Sequence, residues 1–583
     1  MESSRDSAPG RAAFGLLALG LLLLTPLVFY RGFSDQFTYL KLVLTKGFVL
    51  FGTVGFALSH VWSRRRWPGD FRLAAPVALL TLAVWLSCLA SPLPAFSLVE
   101  AEYFLCGPLW LLLMICWGGG EATVRWLSAL VAVAGTVVAA IALLQWAGHD
   151  PLLFGGYRVE WGTMRASMRL YSTFGNPNLV AGYLIGAIFL ALALAASAET
   201  PAVKFLSVAA VLVIFGAIIG TRSRGAWLGL AAGLLVARGF WAGRPEENAA
   251  PGTSPQTGML NACLVPGGLL LLLPSLAQQA RGLLTHLEGR LYLWRAAWPM
   301  FAEHPLFGGG WGMFQLRFLD LQAQFLSSHP EYVRYWTHTR QLHNDPLQIL
   351  LEAGTVGLVA LGWLLWNYAR ELRQTQPRAS RTERLWLAAS AGGVTAILVN
   401  SIFNFQLAVP PTLILLFTLL AVPRMLKAAD HNESAVTAEG KSKVILRGFV
   451  SVVVLGAAIL LALGIVRRAL AEHSLALGLD EERRNGVAHA EQHFRAGLEQ
   501  APDDGRLRYG LARALYVQGQ YQQALAEALK AQRTIADSHL EVLMARIQDQ
   551  LGYRSPALEA YRHALWLDPT LKSVRADIER LTR

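Results

Sequence analysis

The chain contains 583 residues, of which 54% are hydrophobic and only 15% are charged. Soluble domains are typically about a quarter charged, so this composition excludes an ordinary cytosolic enzyme. The net charge of +12 lies outside the C-terminal part, because residues 468–583 contain 16 basic and 16 acidic side chains. A basic excess confined to an apolar region is typical of membrane topology and argues against a nucleic-acid partner.

Apolar stretches long enough to cross a bilayer as helices recur along residues 1–467. No small-residue cleavage site follows the first of them, so we interpret it as an uncleaved span and not as a signal peptide. The thirteen predicted spans are 12–30, 42–62, 73–91, 101–118, 124–147, 178–197, 203–220, 224–241, 259–278, 346–369, 385–405, 408–423 and 447–466.

The basic side chains of the short connections predict the orientation of these spans. If the N-terminus is cytoplasmic, the even-numbered connections are cytoplasmic too, and these contain the arginine run 64–66 and the basic clusters within 370–384 and 424–447. An odd number of spans then places the C-terminus on the opposite face. We therefore expect the N-terminus inside and the C-terminal region outside.

Three outward segments contain arginines on the face where topology disfavours them. They are the connection 148–177, the turn 221–225 and the long connection 279–345. Binding of an anion would explain such arginines, because guanidinium groups bind phosphate and carboxylate oxygens bidentately. Interfacial contact with lipid headgroups is the alternative for any single residue.

The C-terminal region from Arg468 onward is polar and repetitive. Gly519 recurs as Gly552 and Ala524 as Ala557, each at a spacing of 33 residues. Small residues at a period near 34, where paired helices touch, resemble the tetratricopeptide repeat. Such repeats form an α-solenoid that presents a concave surface to peptides or proteins. A plain helical bundle is the alternative.

The long outer connection ends in a histidine directly before an apolar helix. A neutral imidazole at position 343 could accept a proton from a hydroxyl group at the membrane surface, whereas a histidine that only braces the connection is the alternative. His338 and His343 are five residues apart, which misses the i,i+4 spacing of a helical zinc pair, and the outer carboxylates are isolated. We therefore expect a metal-independent reaction without a cofactor.

Four motifs occur in order along the membrane region: Arg169-Leu-Tyr-Ser-Thr-Phe174-Gly175-Asn176-Pro177-Asn178-Leu-Val-Ala181, Ser223-Arg224-Gly225-Ala226, the segment 289–298 and His343-Asn344-Asp345. Together they resemble the O-antigen ligase superfamily. This superfamily also contains O-antigen polymerases and protein O-oligosaccharyltransferases. The resemblance extends over about residues 10–425 and rests on these four motifs, the first of which runs from Arg169 to Ala181.

The resemblance implies an all-α, polytopic membrane fold of the GT-C-like glycosyltransferase type with about 12–13 transmembrane helices. The expected domains are the ligase-like membrane domain at 1–446 with its large periplasmic loop at 279–345, an additional transmembrane helix at 447–467 and the repeat domain at 468–583. The expected location is the bacterial inner membrane, with the N-terminus in the cytoplasm and the large loop and repeats in the periplasm.

The resemblance also implies transfer of a glycan from undecaprenyl pyrophosphate to an acceptor hydroxyl. Arg224 and Arg290 match the family's arginines and would bind the pyrophosphate, and His343 matches its histidine and would act as general base. The expected acceptor is lipid A-core, another glycan or a protein, with membrane lipids around the helices and protein partners on the repeats. The remaining expected substrate-binding residues are Arg169, Arg222, Asn176, Asn178 and Asn344.

Two other functions fit many of the same features. One is an O-antigen or polysaccharide polymerase of the same superfamily, and the other is a solute or anion transporter. A transporter should have ionisable residues near mid-span and helices broken by Gly or Pro in paired halves. In this chain the outward basic residues gather at the membrane boundary, which favours glycan transfer over transport.

Overall fold

The structure, a computed structural model, describes residues 20–62, 72–117, 119–153, 170–242, 287–427 and 441–583. Within these ranges the chain forms helices and short 3-10 turns and no strand, which confirms the all-α prediction. The helices before the repeats are α1 (Tyr39–Trp62), α2 (Ala74–Ala90), α3 (Pro94–Trp117), α4 (Gly120–Trp146), α5 (Pro177–Ser197), α6 (Pro201–Gly220), α7 (Arg224–Ala242), α8 (287–303), α9 (Phe314–Ser328), α10 (Asp345–Thr375), α11 (Arg381–Ser401), α12 (Pro410–Lys427) and α13 (Lys441–Arg483).

Eight helices among the described residues are long and apolar enough to cross a membrane, so the chain is a multi-pass membrane protein. They are α1, α3, α4, α5, α6, α10, α12 and α13. Helices α2, α7 and α11 also coincide with predicted spans, although they are shorter or less apolar. The predicted span 259–278 lies outside the described residues. In the predicted span 12–30 the helix is described only from residue 20, ends at residue 23 and is followed by a 3-10 turn at Thr25–Leu27.

Helices α5 and α12 form the centre of the membrane domain, and α6 and α13 lie at its periphery. The apolar windows of α5 and α12 are 78% and 89% buried, whereas the window of α13 is only 6% buried. The exposed side chains of α13 between residues 450 and 466 are apolar, as lipid-facing residues should be.

Glycines bring α7 close to α11, and this contact positions the start of α7. A methyl group on Gly233 would lie 2.7 Å from the Phe189 ring and would also overlap Gly392 O, and one on Gly229 would overlap Ala396 O. Small residues four apart allow helix backbones to approach closely inside a membrane. Larger residues here would push α7 away, together with the turn at Thr221–Ser223 that precedes it.

Helix α10 is interrupted by a kink at Gly354, where φ is 69° and ψ is −171°. The kink exposes backbone groups that pair with the outer segment 305–309: Gly309 N donates to Leu351 O at 2.9 Å, and Thr355 N donates to Pro305 O at 2.9 Å. This seam joins the long outer segment to the helix that follows His343. A helix without the kink would leave no carbonyl free for Gly309.

The C-terminal repeats continue directly from the last membrane span, because α13 is a single helix of 43 residues. At 1.5 Å per residue it is about 65 Å long, enough to cross the bilayer and to form the first helix of the repeats. The following helices are α14 (Val487–Gln500), α15 (Gly505–Val517), α16 (Tyr521–Ala531), α17 (Ser538–Gln550), α18 (Arg554–Leu567) and α19 (Lys572–Thr582).

The predicted repeat positions have equivalent places in successive helix pairs. Gly519 and Gly552 follow α15 and α17 in left-handed turns, with φ of 77° and 79°. Ala524 and Ala557 are both fully buried between paired helices. The 33-residue period thus corresponds to one helix pair, and the α-solenoid prediction is confirmed.

The first helix of the repeats is also attached to the end of the membrane domain from which it emerges. Arg468 Nη1 lies 2.8 Å from Glu102 Oε2, and His473 Nδ1 lies 2.8 Å from Gly32 O. The buried Glu472 accepts a hydrogen bond from Ser34 and pairs with Arg506 at 2.8 Å. These polar contacts fix the angle at which the repeats leave the membrane.

Candidate functional site

Arg224 is the first residue of α7 and lies where α7 meets the end of α11. A methyl group on the neighbouring Gly225 would lie 2.7 Å from Asn400 Oδ1, so only glycine permits this approach. Arg222, two residues earlier, is exposed and adopts a left-handed backbone with φ of 54°. A non-glycine residue in that region is strained, and such strain is concentrated at functional sites.

Arg290, on α8, lies beside Arg224. Burial and then the charge of Arg224 lower the pKa of Arg290 from 12.5 to about 10. The guanidinium is still protonated at neutral pH, so two like charges are held together in a partly buried place. This arrangement is unfavourable in the free protein and becomes favourable when an anion lies between the two groups.

His343 forms the turn that enters α10, and its backbone is also left-handed, with φ of 58°. Arg290 Nη1 donates a hydrogen bond to His343 O at 3.2 Å, and Trp294 Nε1 donates to Leu342 O at 3.3 Å. The imidazole packs edge-on against the Phe405 ring, with 4.9 Å between ring centroids. Helix α8 therefore holds the turn from one side and the segment after α11 holds it from the other.

The imidazole of His343 is neutral at physiological pH. Burial and then the charge of Arg290 lower the pKa of His343 from 6.5 to about 4. A neutral imidazole can accept a proton, whereas an imidazolium cannot. The sequence-based expectation of a proton acceptor at the membrane surface is therefore chemically possible at this position.

Several buried polar atoms around these residues have no hydrogen-bond partner among the described residues. Almost all buried polar groups in folded proteins are paired, so a cluster of exceptions points to a ligand. The segment 400–405 connects the cluster, because Asn400 lies against Gly225 and Phe405 lies against His343. The unpaired atoms are Ser223 Oγ, Arg224 Nη1, His343 Nδ1 and Asn400 Nδ2.

The other predicted site residues have more varied positions. Asn176 caps α5 by accepting a hydrogen bond from Asn178 N at 2.9 Å, and the Asn178 side chain is exposed. Asn344 caps α10 by accepting from Leu347 N at 2.9 Å. Both caps stabilise the helices that border the site. Arg169 lies outside the described residues.

A polar cavity adjoins the His343 turn. Gln341 and Asp345, which flank His343 at two residues on either side, both line it. Its remaining lining combines aromatic rings with carboxylate, amide and guanidinium groups, which is the composition of a site for a polar molecule with an apolar face. These residues include Glu100, Tyr103, Phe104, Trp311, Gln315, Arg340, Gln348 and Glu352.

Gln348 and Glu352 support the His343 turn from inside the protein, and the sequence did not suggest them. Gln348 Oε1 accepts from Leu342 N at 3.0 Å, and Gln348 Nε2 lies 3.3 Å from Glu352 Oε1. Glu352 is 2% exposed and also accepts from Phe314 N at 3.4 Å. A glutamate within an apolar span is a signal that could have indicated this contact.

Asn400 was also missed by the sequence analysis. It lies in the last turn of α11, is fully buried and accepts a hydrogen bond from Asn404 Nδ2 at 2.7 Å. Two asparagines four residues apart at the end of an apolar helix are the signal that could have found it. Across the ranges that the structure describes, no group of three or more His, Cys, Asp or Glu residues is placed to hold a metal ion.

Comparison with protein families agrees with both predicted resemblances. Residues 209–362 match the family model described as O-Antigen ligase, and this segment contains Arg224, Arg290 and His343. Residues 487–547 match the family model described as Tetratricopeptide repeat. A comparison with curated proteins gave no match. The chain thus combines an O-antigen ligase-like membrane enzyme with C-terminal tetratricopeptide repeats, as the motifs predicted.

Proposed function

We propose that the protein transfers a glycan from undecaprenyl pyrophosphate to an acceptor hydroxyl on the periplasmic face of a bacterial inner membrane. The observation that carries this proposal is the pair Arg224 and Arg290 beside the neutral His343, with unpaired buried nitrogens on Arg224 and His343. The ligase-like segment places all three residues within one family match, which supports the same conclusion.

The two arginines suit a pyrophosphate leaving group. Guanidinium groups bind phosphate oxygens bidentately and remain charged, so they stabilise the charge that develops as the bond to the sugar breaks. The repulsion that lowers the pKa of Arg290 is relieved when the anion binds. The free energy of donor binding therefore includes the release of this repulsion.

His343 would act as the general base on the acceptor. The acceptor oxygen attacks the anomeric carbon, its proton passes to the imidazole, and the bond to the pyrophosphate oxygen breaks with its electron pair on the leaving group. In the free protein, burial and then the positive charge of Arg290 lower the pKa of His343. Bound pyrophosphate would offset the charge of Arg290. Donor binding should therefore raise the pKa of His343 and make it a stronger base.

The acceptor would approach His343 from the polar cavity, since Gln341 and Asp345 on either side of the histidine both line it. The chemistry of the cavity suits a sugar hydroxyl of lipid A-core or of another glycan. A serine or threonine of a protein is the other acceptor to be compared.

The test is glycan transfer by the purified full chain in proteoliposomes that contain an undecaprenyl-pyrophosphate glycan and a candidate acceptor. His343→Ala, Arg224→Ala and Arg290→Ala should each reduce transfer by about 10²-fold or more. The matched control is Arg317→Ala, which removes an outer arginine already paired with Glu303 at 2.7 Å. Equal transfer by His343→Ala and the wild type would contradict the proposal.

The same assay separates the two alternative functions. A polymerase would extend the acceptor into a ladder of products that differ by whole repeat units, whereas a ligase would add one glycan per acceptor. A transporter would take up a labelled anion into vesicles that lack the lipid donor. Uptake without the donor and no transferred glycan would favour the transporter.

A further inference from the structure

The far end of the repeats contacts the outer segment that leads to His343. Trp336 Nε1 donates a hydrogen bond to Leu567 O at 2.9 Å, at the end of α18. Trp566 Nε1 donates to Ser327 Oγ, in α9, at 3.0 Å, and His338 Nε2 lies 3.2 Å from Ala536 O. These contacts join parts of the chain that are about 200 or more residues apart.

An apolar cluster lies at the centre of this contact. Leu567 is 5% exposed and packs against Leu319 and Ala323 of α9, with Trp336 and Ala536 at the margin. Burial of side chains from both sides distinguishes a docked surface from a chance approach of two polar surfaces. The burial of apolar surface therefore stabilises the contact between the repeats and α9, in addition to the hydrogen bonds.

Three titratable groups, His563, Glu541 and Asp320, lie close together at this contact. His563 Nδ1 lies 3.3 Å from Glu541 Oε2, and this hydrogen bond is the main reason that the pKa of His563 is raised. Asp320, on α9, faces the same histidine. Burial raises the pKa of the Asp320 carboxyl, and His563 partly offsets this increase. Glu541, which has the same charge as Asp320, acts on that carboxyl in the opposite direction. The contact therefore combines one attraction and one repulsion, and its apolar cluster carries the docking.

The docked segment is connected to the candidate catalytic residues through α8. Arg334 Nη2 lies 3.3 Å from Glu288 Oε2, Tyr335 donates to the same carboxylate, and Glu288 is two residues before Arg290. Arg295 donates to the Tyr332 hydroxyl at 3.1 Å. The segment 329–343 therefore lies between the repeats, which hold Trp336 and His338, and the helix that holds Arg290.

We propose that the end of the tetratricopeptide repeats is a positioning element of the active site: its docking on α9 and on Trp336 fixes the segment that holds His343 against Arg290. Leu567 and Trp336 are the positioning residues, and neither needs to touch a substrate. The repeats are in this respect part of the enzyme's outer face, and only their remaining surface is free to bind a partner.

The first test measures hydrogen exchange in the full chain, and it does not depend on the proposed reaction. Leu567→Asp places a charge in the apolar contact, and the backbone amides of residues 337–344 should then exchange about tenfold faster. The matched control is Val517→Asp, on an exposed position of the same repeats outside the apolar clusters. Unchanged exchange of 337–344 in Leu567→Asp would overturn the inference.

The second variant, Trp336→Phe, leaves the sequence of the repeats unchanged and removes the hydrogen bond to Leu567 O together with part of the ring that packs at the margin of the apolar cluster. It separates loss of docking from unfolding of the repeats, because the protease resistance of residues 470–583 should be the same as in the wild type. Faster exchange of 337–344 is expected here too, and wild-type exchange in both variants would refute the positioning role.

The activity measurements rest on the proposed transfer reaction. In both variants kcat should fall about tenfold, since a displacement of about 1 Å can cost up to about 10²-fold, while binding of a soluble acceptor changes little. The acid limb of kcat/KM should also move upward from about pH 4, because a loosened turn exposes His343 to water and weakens the effect of burial on its pKa. A smaller amount of correctly folded enzyme would lower the rate without moving this limb.

Unchanged kcat and pH profile, together with faster exchange, would limit the role of the repeats to holding the segment and would overturn their role in catalysis. No transfer by the wild type would contradict the proposed function alone.

Discussion

Replacing Gly354 by alanine should destabilise the protein at the seam between α10 and the outer segment. With φ of 69° and ψ of −171°, Gly354 lies in a region that is essentially restricted to glycine, and any other residue there costs about 1–3 kcal/mol. The added methyl group would lie 2.6 Å from Gly308 N and would overlap Leu306 O, whereas ordinary contact begins near 3.4 Å. These are backbone atoms, which cannot rotate away.

Relief of that overlap requires the seam to open, which adds the cost of overpacking, about 1–3 kcal/mol. The two effects together predict a loss of about 2–6 kcal/mol in the free energy of unfolding. For the membrane domain, with an unfolding entropy of about 2.1 cal/mol/K per residue, the midpoint of thermal unfolding should fall by about 2–7 °C. The assay is thermal unfolding of the purified full chain in detergent, followed by tryptophan fluorescence.

Gly362→Ala is the matched control, since it makes the same chemical change eight residues later in the same helix. A methyl group on Gly362 has no neighbour within 4 Å among the described residues. Alanine in a regular helix is more stable than glycine by about 0.5–1 kcal/mol, so this variant should unfold at the same temperature or slightly above it. Equal midpoints for Gly354→Ala and the wild type would refute the reasoning.

Three further predictions concern the site and the topology. First, kcat/KM for the lipid donor should fall as the pH drops through about 4, because protonated His343 cannot accept a proton. The acid limb of kcat should lie at higher pH, because bound pyrophosphate raises the pKa of His343. A flat profile of kcat/KM down to pH 3 would contradict this. Second, Gln348→Leu removes the acceptor for Leu342 N and should lower kcat about tenfold at unchanged donor affinity, measured by transfer and by equilibrium binding. Third, Arg533→Cys in the repeats should react with a membrane-impermeant maleimide in intact spheroplasts, whereas Arg378→Cys should react only after permeabilisation; the reverse result would invert the predicted topology.

The membrane helices and the repeats could be predicted from the sequence because their signals are local. Apolar stretches of sufficient length predicted the positions of α5 and α6 to within about two residues, whereas α3 begins seven residues, or about two turns, before its predicted start. The 33-residue period identified buried positions such as Ala524 and Ala557. The continuity of α13 was less evident, since the change from apolar to polar residues at Arg468 was interpreted as a domain boundary, although backbone hydrogen bonds can continue through such a change.

The candidate site was only partly predictable because its geometry depends on contacts between distant residues. The motifs indicated Arg224, Arg290 and His343, and the structure brings these three together. The kink at Gly354 and the buried Asn400 depend on segments that meet only in the folded chain. The docking of Trp336 on Leu567, 231 residues later, had no local signal at all.

The central claim is that a neutral His343 activates an acceptor hydroxyl while two arginines hold the pyrophosphate. The most direct measurement is the release of undecaprenyl pyrophosphate from a labelled glycan donor by the reconstituted full chain, with and without acceptor. We predict that the wild type releases it only when acceptor is present, and that His343→Ala binds the donor with wild-type affinity but releases it at least about 10²-fold more slowly. Release by His343→Ala at the wild-type rate, or wild-type release that does not depend on the acceptor, would contradict the account.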